Sequence, residues 1–176
     1  DGEYVNLTGM IPDGQFSMRK SGVNDMSFGL PAYFATGGVG SIAMSNSQCL
    51  SADVNAAFDP TFAGVLEKKN AAFANKGIVV TKYTGSRGKS GTSDASAEFM
   101  GKIRKLFNEN GVVWQVGELG KVDEGGGGTV AKYVAYHNID VVDVGVPVLS
   151  MHAPYEVISK IDLYMAYKGF LTFFTK

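Results

Sequence analysis

Apolar and polar positions change period several times along the chain, and each change predicts an element. Residues 77–84 are rich in β-branched and aromatic side chains and begin at a glycine, which predicts a strand. Phe99, Met100, Ile103, Leu106 and Phe107 then recur at helical spacing, with Lys102, Arg104 and Lys105 on other faces. That spacing predicts a helix over residues 93–108, stopped by Asn110-Gly111. Strands are expected again at 112–116 and 139–144, with a short helix carrying Val130, Tyr133 and Val134 between them. An earlier strand, 48–55, ends in polar residues, and the chain is broken again at Asp59-Pro60, because the residue before a proline is pushed out of the helical region. Val146-Pro147-Val148-Leu149 reads as a buried strand that delivers His152 to the start of a helix, with Pro154 at its first turn. Val157, Ile158, Ile161 and Met165 would be the buried stripe of that helix, and Gly169 a stop or bend before 170–174. Residues 1–47 hold no sustained period and predict loops with one or two irregular elements.

The order strand, strand, helix, strand, helix, strand, helix predicts an α/β layered fold with a mixed, mostly parallel sheet. Ligands of such sheets gather at strand carboxyl ends, where Asp53, the glycine run at 125–128 and His152 all fall.

Composition narrows the classes. A chain of 176 residues that is 45% hydrophobic and 19% charged can bury a substantial core, which excludes disorder. Its length fits one domain or a piece of a larger one. The net charge of -1 supplies no electrostatic reason to expect nucleic acid or an anionic membrane as partner. A single cysteine, Cys49, excludes an intramolecular disulfide and fits a reducing cytoplasm. No apolar run approaches the roughly 18 residues of a membrane span. The chain opens on Asp1 rather than Met, as a processed or partial polypeptide would.

Three stretches invite chemistry. Gly85-Ser86-Arg87-Gly88-Lys89-Ser90-Gly91 imitates a phosphate loop between strand and helix, but Tyr83 stands where that loop needs its first glycine. A solvated basic turn, or a loop for a carboxylate-bearing ligand, fits better. The glycine-dense residues 35–41 are a flexible turn or a phosphate-cradling entry to a helix, with no clear strand before them. Four consecutive glycines at 125–128 are either a linker or backbone that must pass close to something, since such a run is entropically costly to order. Asp53 alone reads as a cap or turn residue, His137 as a helix-end partner, and His152 alone as a half-buried histidine. An Asp and a His from two strand ends nevertheless suit a borderline metal such as zinc. Nucleophilic catalysis is disfavoured, because no Gly-x-Ser-x-Gly elbow occurs and Cys49 lacks basic neighbours.

Four ordered blocks carry a family resemblance. Residues 51–60 (SADVNAAFDP), 82–91 (KYTGSRGKSG), 117–129 (GELGKVDEGGGGT) and 151–156 (MHAPYE) resemble the M18 metalloaminopeptidases, the aspartyl aminopeptidase and aminopeptidase I group. The resemblance runs from about Gln48 to the end of the chain. It implies a zinc-exopeptidase-like α/β fold, present here as a partial catalytic domain: residues 48–176 as its C-terminal portion and 1–47 as a poorly matched N-terminal segment. It also implies a two-zinc site, with Asp53 a ligand of one zinc and His152 of the other. Arg87 and Lys89 would lie near the substrate pocket, and the glycine run would line the active site.

Asp1-Gly2-Glu3-Tyr4-Val5-Asn6 matches the family's general-base motif in part. Glu3 fits the base, whereas Tyr4 stands in place of a ligand carboxylate and Asn6 in place of a glycine. The family's other ligand segments and its dimerisation domain have no counterpart here. The resemblance thus implies a cytoplasmic, homo-oligomeric zinc aminopeptidase acting on peptides, with this chain supplying part of the site and inactive alone. The rival readings are a non-catalytic assembly module that keeps the fold and a nucleotide-binding protein using Gly88-Lys89-Ser90.

Overall fold

The computed structural model describes residues 39–85, 91, 93–121 and 123–176. Of these, residues 39–48 with 133–140 form one compact unit and the remainder form another. In the first unit, helix α1 (Val39–Ser45) closes at Asn46, whose N–H is shared by the Ile42 and Ala43 carbonyls. The Ser47 carbonyl accepts the Asp140 N–H at 3.2 Å. The Tyr133 and Tyr136 rings meet edge to face, 6.3 Å apart.

The second unit is built around a four-stranded sheet of order β1-β5-β3-β4. Its strands are β1 (Gln48–Ser51), β3 (Ile78–Thr81), β4 (Trp114–Val116) and β5 (Asp140–Gly145). Strand β3 is buried throughout, as its run of β-branched residues requires. It pairs parallel with β4 and antiparallel with β5, with Thr81 opposite Asp143. A second sheet has β2 (Asn55–Ala56) parallel to β6 (Pro147–Leu149) and β7 (Val157–Ile158) antiparallel to β6. The single strand expected at 48–55 is therefore two, because the Asp53 N–H turns back onto the Ser51 carbonyl at 2.8 Å and hands the chain from one sheet to the other. The architecture is mixed α/β.

Helix α2 (Ala97–Glu109) lies where the apolar spacing predicted a helix. Ser96 caps it by accepting the Phe99 N–H, and Gly111 follows its end with φ +63. Phe99, Met100, Ile103 and Phe107 enter the core with Ile78, Val80, Val142 and Val144. Trp114 packs at its edge and donates its indole N–H to Asn108 Oδ1 at 2.8 Å. A short helix α3 (Ala131–Ala135) precedes β5, and a 3-10 helix spans Pro60–Val65.

The C-terminal region departs from expectation. His152 does not open a helix. It lies in an exposed turn after β6, and Val157 and Ile158 form an edge strand instead of the first turn of a stripe. Helix α4 (Lys160–Thr175) begins only after the Ser159 cap. Its buried positions are Asp162, Ala166, Gly169 and Thr172, whereas Ile161, Leu163, Tyr164, Tyr167 and Phe174 are exposed. The inward face is small because the helix comes close to the core: a Cβ on Gly169 would stand 3.3 Å from the Phe107 ring. Gly169 therefore sits inside the helix as a contact point, and no stop or bend occurs there. Asp162 is the other reason for this facing. Its two carboxylate oxygens accept the Asn75 and Gly77 N–H groups, each at 2.7 Å, and so clamp the turn that feeds β3. Asn75 and Gly77 take φ +66 and +90 there.

Candidate functional site

At the end of the sheet where β3 exits, the interior turns polar. Ser51, Asn55, Thr81, Thr84 and Asp143 are all buried there. The register explains part of this grouping: residues opposite each other in an antiparallel pair share a face, so Thr81 and Asp143 point the same way. Asn55 Nδ2 donates to Thr81 Oγ1 at 2.7 Å. Asp143 Oδ2 accepts the Thr129 hydroxyl at 2.8 Å, and Asp143 Oδ1 has no hydrogen-bond partner among the described residues. Burial holds the Asp143 carboxyl above the ordinary carboxylate range; the Ser51 and Thr129 hydroxyls oppose that shift, and the charge of Asp53 adds to it.

Asp53 is half-buried in the tight turn after β1. Its backbone runs against Gly145, where a Cβ would fall 1.8 Å from the Asp53 carbonyl oxygen. The chain can pass this closely only because residue 145 has no side chain. The glycine run is equally constrained. Gly85 donates its N–H to the Gly127 carbonyl at 2.9 Å, and a Cβ on Gly126, which has φ +103, would lie 2.2 Å from the Gly85 oxygen. Gly125 and Gly126 are thus closely packed backbone at the exit of β3, whereas Gly128 is exposed.

His152 occupies a different kind of place. Its side chain is exposed, and its backbone takes φ +67 two residues after Ser150 at φ +59. The His152 N–H donates to Glu156 Oε1 and the Ala153 N–H to the Ser150 carbonyl, which pin this left-handed turn. Asn55 is in register with Pro147, so Asp53 precedes the start of the β2–β6 ladder and His152 follows its end. Asp53 passes against Gly145, two residues after Asp143 on β5, and its charge adds to the upward shift of the Asp143 carboxyl. Among the described residues, no three His, Cys, Asp or Glu side chains form a group able to hold a metal ion. Glu3, Arg87 and Lys89, together with the partial base motif and most of the basic loop, lie outside the described residues.

A profile of the family described as aminopeptidase I zinc metalloprotease (M18) matches residues 32–174. The chain belongs to the M18 family. It is 51% identical over 131 residues to the probable M18 family aminopeptidase 1 of Clostridium acetobutylicum, covering 74% of this chain and 28% of that protein. It is 50% identical over 174 residues to the protein of the same description from Borrelia garinii subsp. bavariensis, covering 99% of this chain and 35% of the relative. The crystal structure of aminopeptidase I from Clostridium acetobutylicum superposes with a TM-score of 0.78 at 44% identity, covering 85% of this chain and 34% of that one. Aminopeptidase I from Borrelia burgdorferi B31 gives 0.62 at 31% identity over 100% and 36%. This M18 chain therefore spans 28–35% of the length of these curated relatives.

The residues present fit an M18 zinc site in donor chemistry. Asp53 offers carboxylate oxygen and His152 imidazole nitrogen, both of which zinc accepts. The buried Oδ1 of Asp143 has no hydrogen-bond partner among the described residues, so the sheet end that carries Asp53 holds an unused oxygen donor as well. Sequence reading named Asp53 but passed over Asp143, Thr129 and Thr84. The available signal was a lone carboxylate inside the apolar run Val141-Val142-Asp143-Val144.

Proposed function

We propose that the complete protein is a two-zinc aminopeptidase that removes the N-terminal residue of peptides, and that this chain supplies part of its active site. Family membership carries the reading: identity near 50% extends over 174 residues of a probable M18 aminopeptidase. The buried polar sheet end supports it as a place where a charged ligand would be welcome. In this reading Asp53 holds one zinc and His152 the other, and Glu3 is the general base. Zinc would supply a polarised scissile carbonyl and a water of lowered pKa. Asp53 orients through its short turn against Gly145, and His152 is presented by a pinned left-handed turn of the kind retained where function requires it. Glu3 would take the water proton and return it to the leaving amine. Arg87 and Lys89 would contact the substrate.

A homo-oligomer belongs to the same reading, and the exposed apolar side chains of α4 are a face that the rest of the protein or a second copy would cover. No helix among the described residues is long and apolar enough to cross a membrane. A cytoplasmic location belongs to the same reading, supported by the single free cysteine.

The test is made on the full-length protein. Asp53→Ala and His152→Ala are each expected to lower bound zinc by about one equivalent and to reduce aminopeptidase turnover by at least about 100-fold. Retained turnover with two metals still bound would refute the assignment.

A further inference from the structure

Asp143 is the only acidic side chain in the buried stretch 141–148. A carboxylate so placed is costly unless something uses it. One of its oxygens is used by Thr129, the residue that ends the glycine run. The Thr129 hydroxyl also lies 3.4 Å from the Thr84 hydroxyl. A hydroxyl has one proton, and the Thr129 proton goes to Asp143, which leaves the Thr84 hydroxyl as the one able to donate across the long 3.4 Å separation. Thr84, Thr129 and the carboxylate thus stand in one row, with the Thr129–Asp143 bond the short one. One residue beyond Thr84, Gly85 makes the backbone bond to Gly127. The glycine loop is therefore tied to the exit of β3 at two neighbouring points. Four glycines carry no side chains with which to hold their own conformation, so ties of this kind must fix it.

We propose that Asp143 is a positioning residue for the aminopeptidase reaction: through the Thr129 hydroxyl it fixes the glycine loop 125–129 on the sheet end that carries Asp53. The inference rests on the aminopeptidase reading above. In this role the carboxylate acts through the Thr129 hydroxyl, which its Oδ2 accepts. It sets where the backbone that would border the reacting peptide stands, and displacements of about 1 Å in such backbone cost up to about 100-fold in rate.

The experiment compares Thr129→Val, Thr129→Ser and Asp143→Leu in the full-length, zinc-loaded protein. It measures kcat and KM on an aminoacyl-p-nitroanilide, zinc content, and hydrogen exchange of residues 125–129. Thr129→Val is expected to lower kcat about 10- to 100-fold with KM within about threefold, zinc content unchanged and loop exchange at least about tenfold faster. Thr129→Ser keeps the hydroxyl and should restore kcat and exchange to within about threefold of wild type. Asp143→Leu removes the acceptor and should reproduce the Thr129→Val exchange pattern; it reads the same tie if Thr129→Val does not fold. The proposal is overturned if a folded variant without the tie keeps wild-type kcat, or if kcat falls while loop exchange is unchanged. Wild-type protein with no aminopeptidase activity would defeat the proposed function instead, and the exchange comparison would still test the tie.

Discussion

Asp162 is the residue whose removal should cost the fold most for its size. It is fully buried in the first turn of α4, and its carboxylate accepts two backbone N–H groups at 2.7 Å from the turn that starts β3. Hydrogen bonds to a charged acceptor contribute about 1.5–3 kcal/mol each. Asp162→Ala loses both. The Gly77 N–H is then left buried without this acceptor, while the Asn75 N–H lies nearer the surface and can turn to water, so the second loss is partly recovered. A favourable charge in the first turn of α4 disappears too, worth about 0.3–1 kcal/mol. Against these, the carboxylate no longer has to be desolvated. The balance is roughly 3–5 kcal/mol of destabilisation, in the range seen when a buried charge network is broken. Asp162→Asn keeps one acceptor and should cost about half as much. Native-state hydrogen exchange of the complete protein reads the effect locally: amides of Asn75, Gly77 and β3 should exchange about 10²- to 10³-fold faster in Asp162→Ala. Protection of the Gly77 amide within about threefold of wild type would show that the clamp does not hold the turn.

Three further outcomes rest on single positions. Gly77→Ala should destabilise by more than about 2 kcal/mol in urea unfolding, because φ is +90 and the new Cβ would lie 2.1 Å from the Val113 carbonyl oxygen; an unchanged midpoint would contradict that geometry. Gly101→Ala, inside α2 with nothing within 4 Å of the new methyl, should stabilise by about 0.5–1 kcal/mol. Burial, and secondarily the charge of Asp143, raises the Cys49 thiol above its ordinary pKa, so alkylation by iodoacetamide at about pH 8 should be slower than for a free thiol. The same shift means that the thiol's contribution to stability is present below the unfolded pKa and lost as pH climbs through the folded one. Asp143→Leu should speed the alkylation without bringing it to the free-thiol rate.

Helix α2 was legible because its core face is a sustained apolar row at helical period, and strands β3 and β5 because they are runs of β-branched residues buried on both faces. Helix α4 was misread for a physical reason. Its sequence is apolar nearly all round, so hydrophobicity does not choose a face, and small size does: Ala166 and Gly169 go inward because the helix must approach Phe107. Tyr164, Tyr167 and Phe174 are left outside although each is larger than the residues chosen. Asp162 is drawn inside because two N–H groups in a left-handed turn need an acceptor there, a demand set by a segment far away in the sequence.

The candidate site shows the same division between what composition reveals and what register decides. Asp53 stands out as a carboxylate beside a strand end, and the glycine run stands out through its entropy. Asp143 shows in the sequence only as a lone acid inside an apolar run, a pattern shared with any strand that has one solvent face. Its meaning depends on lying opposite Thr81, on β5 being buried from Val141 onward, and on Thr129 returning to the same level after the glycine loop. A slip of one residue in the β3–β5 pairing would turn Asp143 to the other face and leave Thr129 with no acceptor. The site is therefore specified by pairing between segments distant in sequence, Thr84 following one strand and Asp143 lying in another, and local pattern holds no record of that pairing.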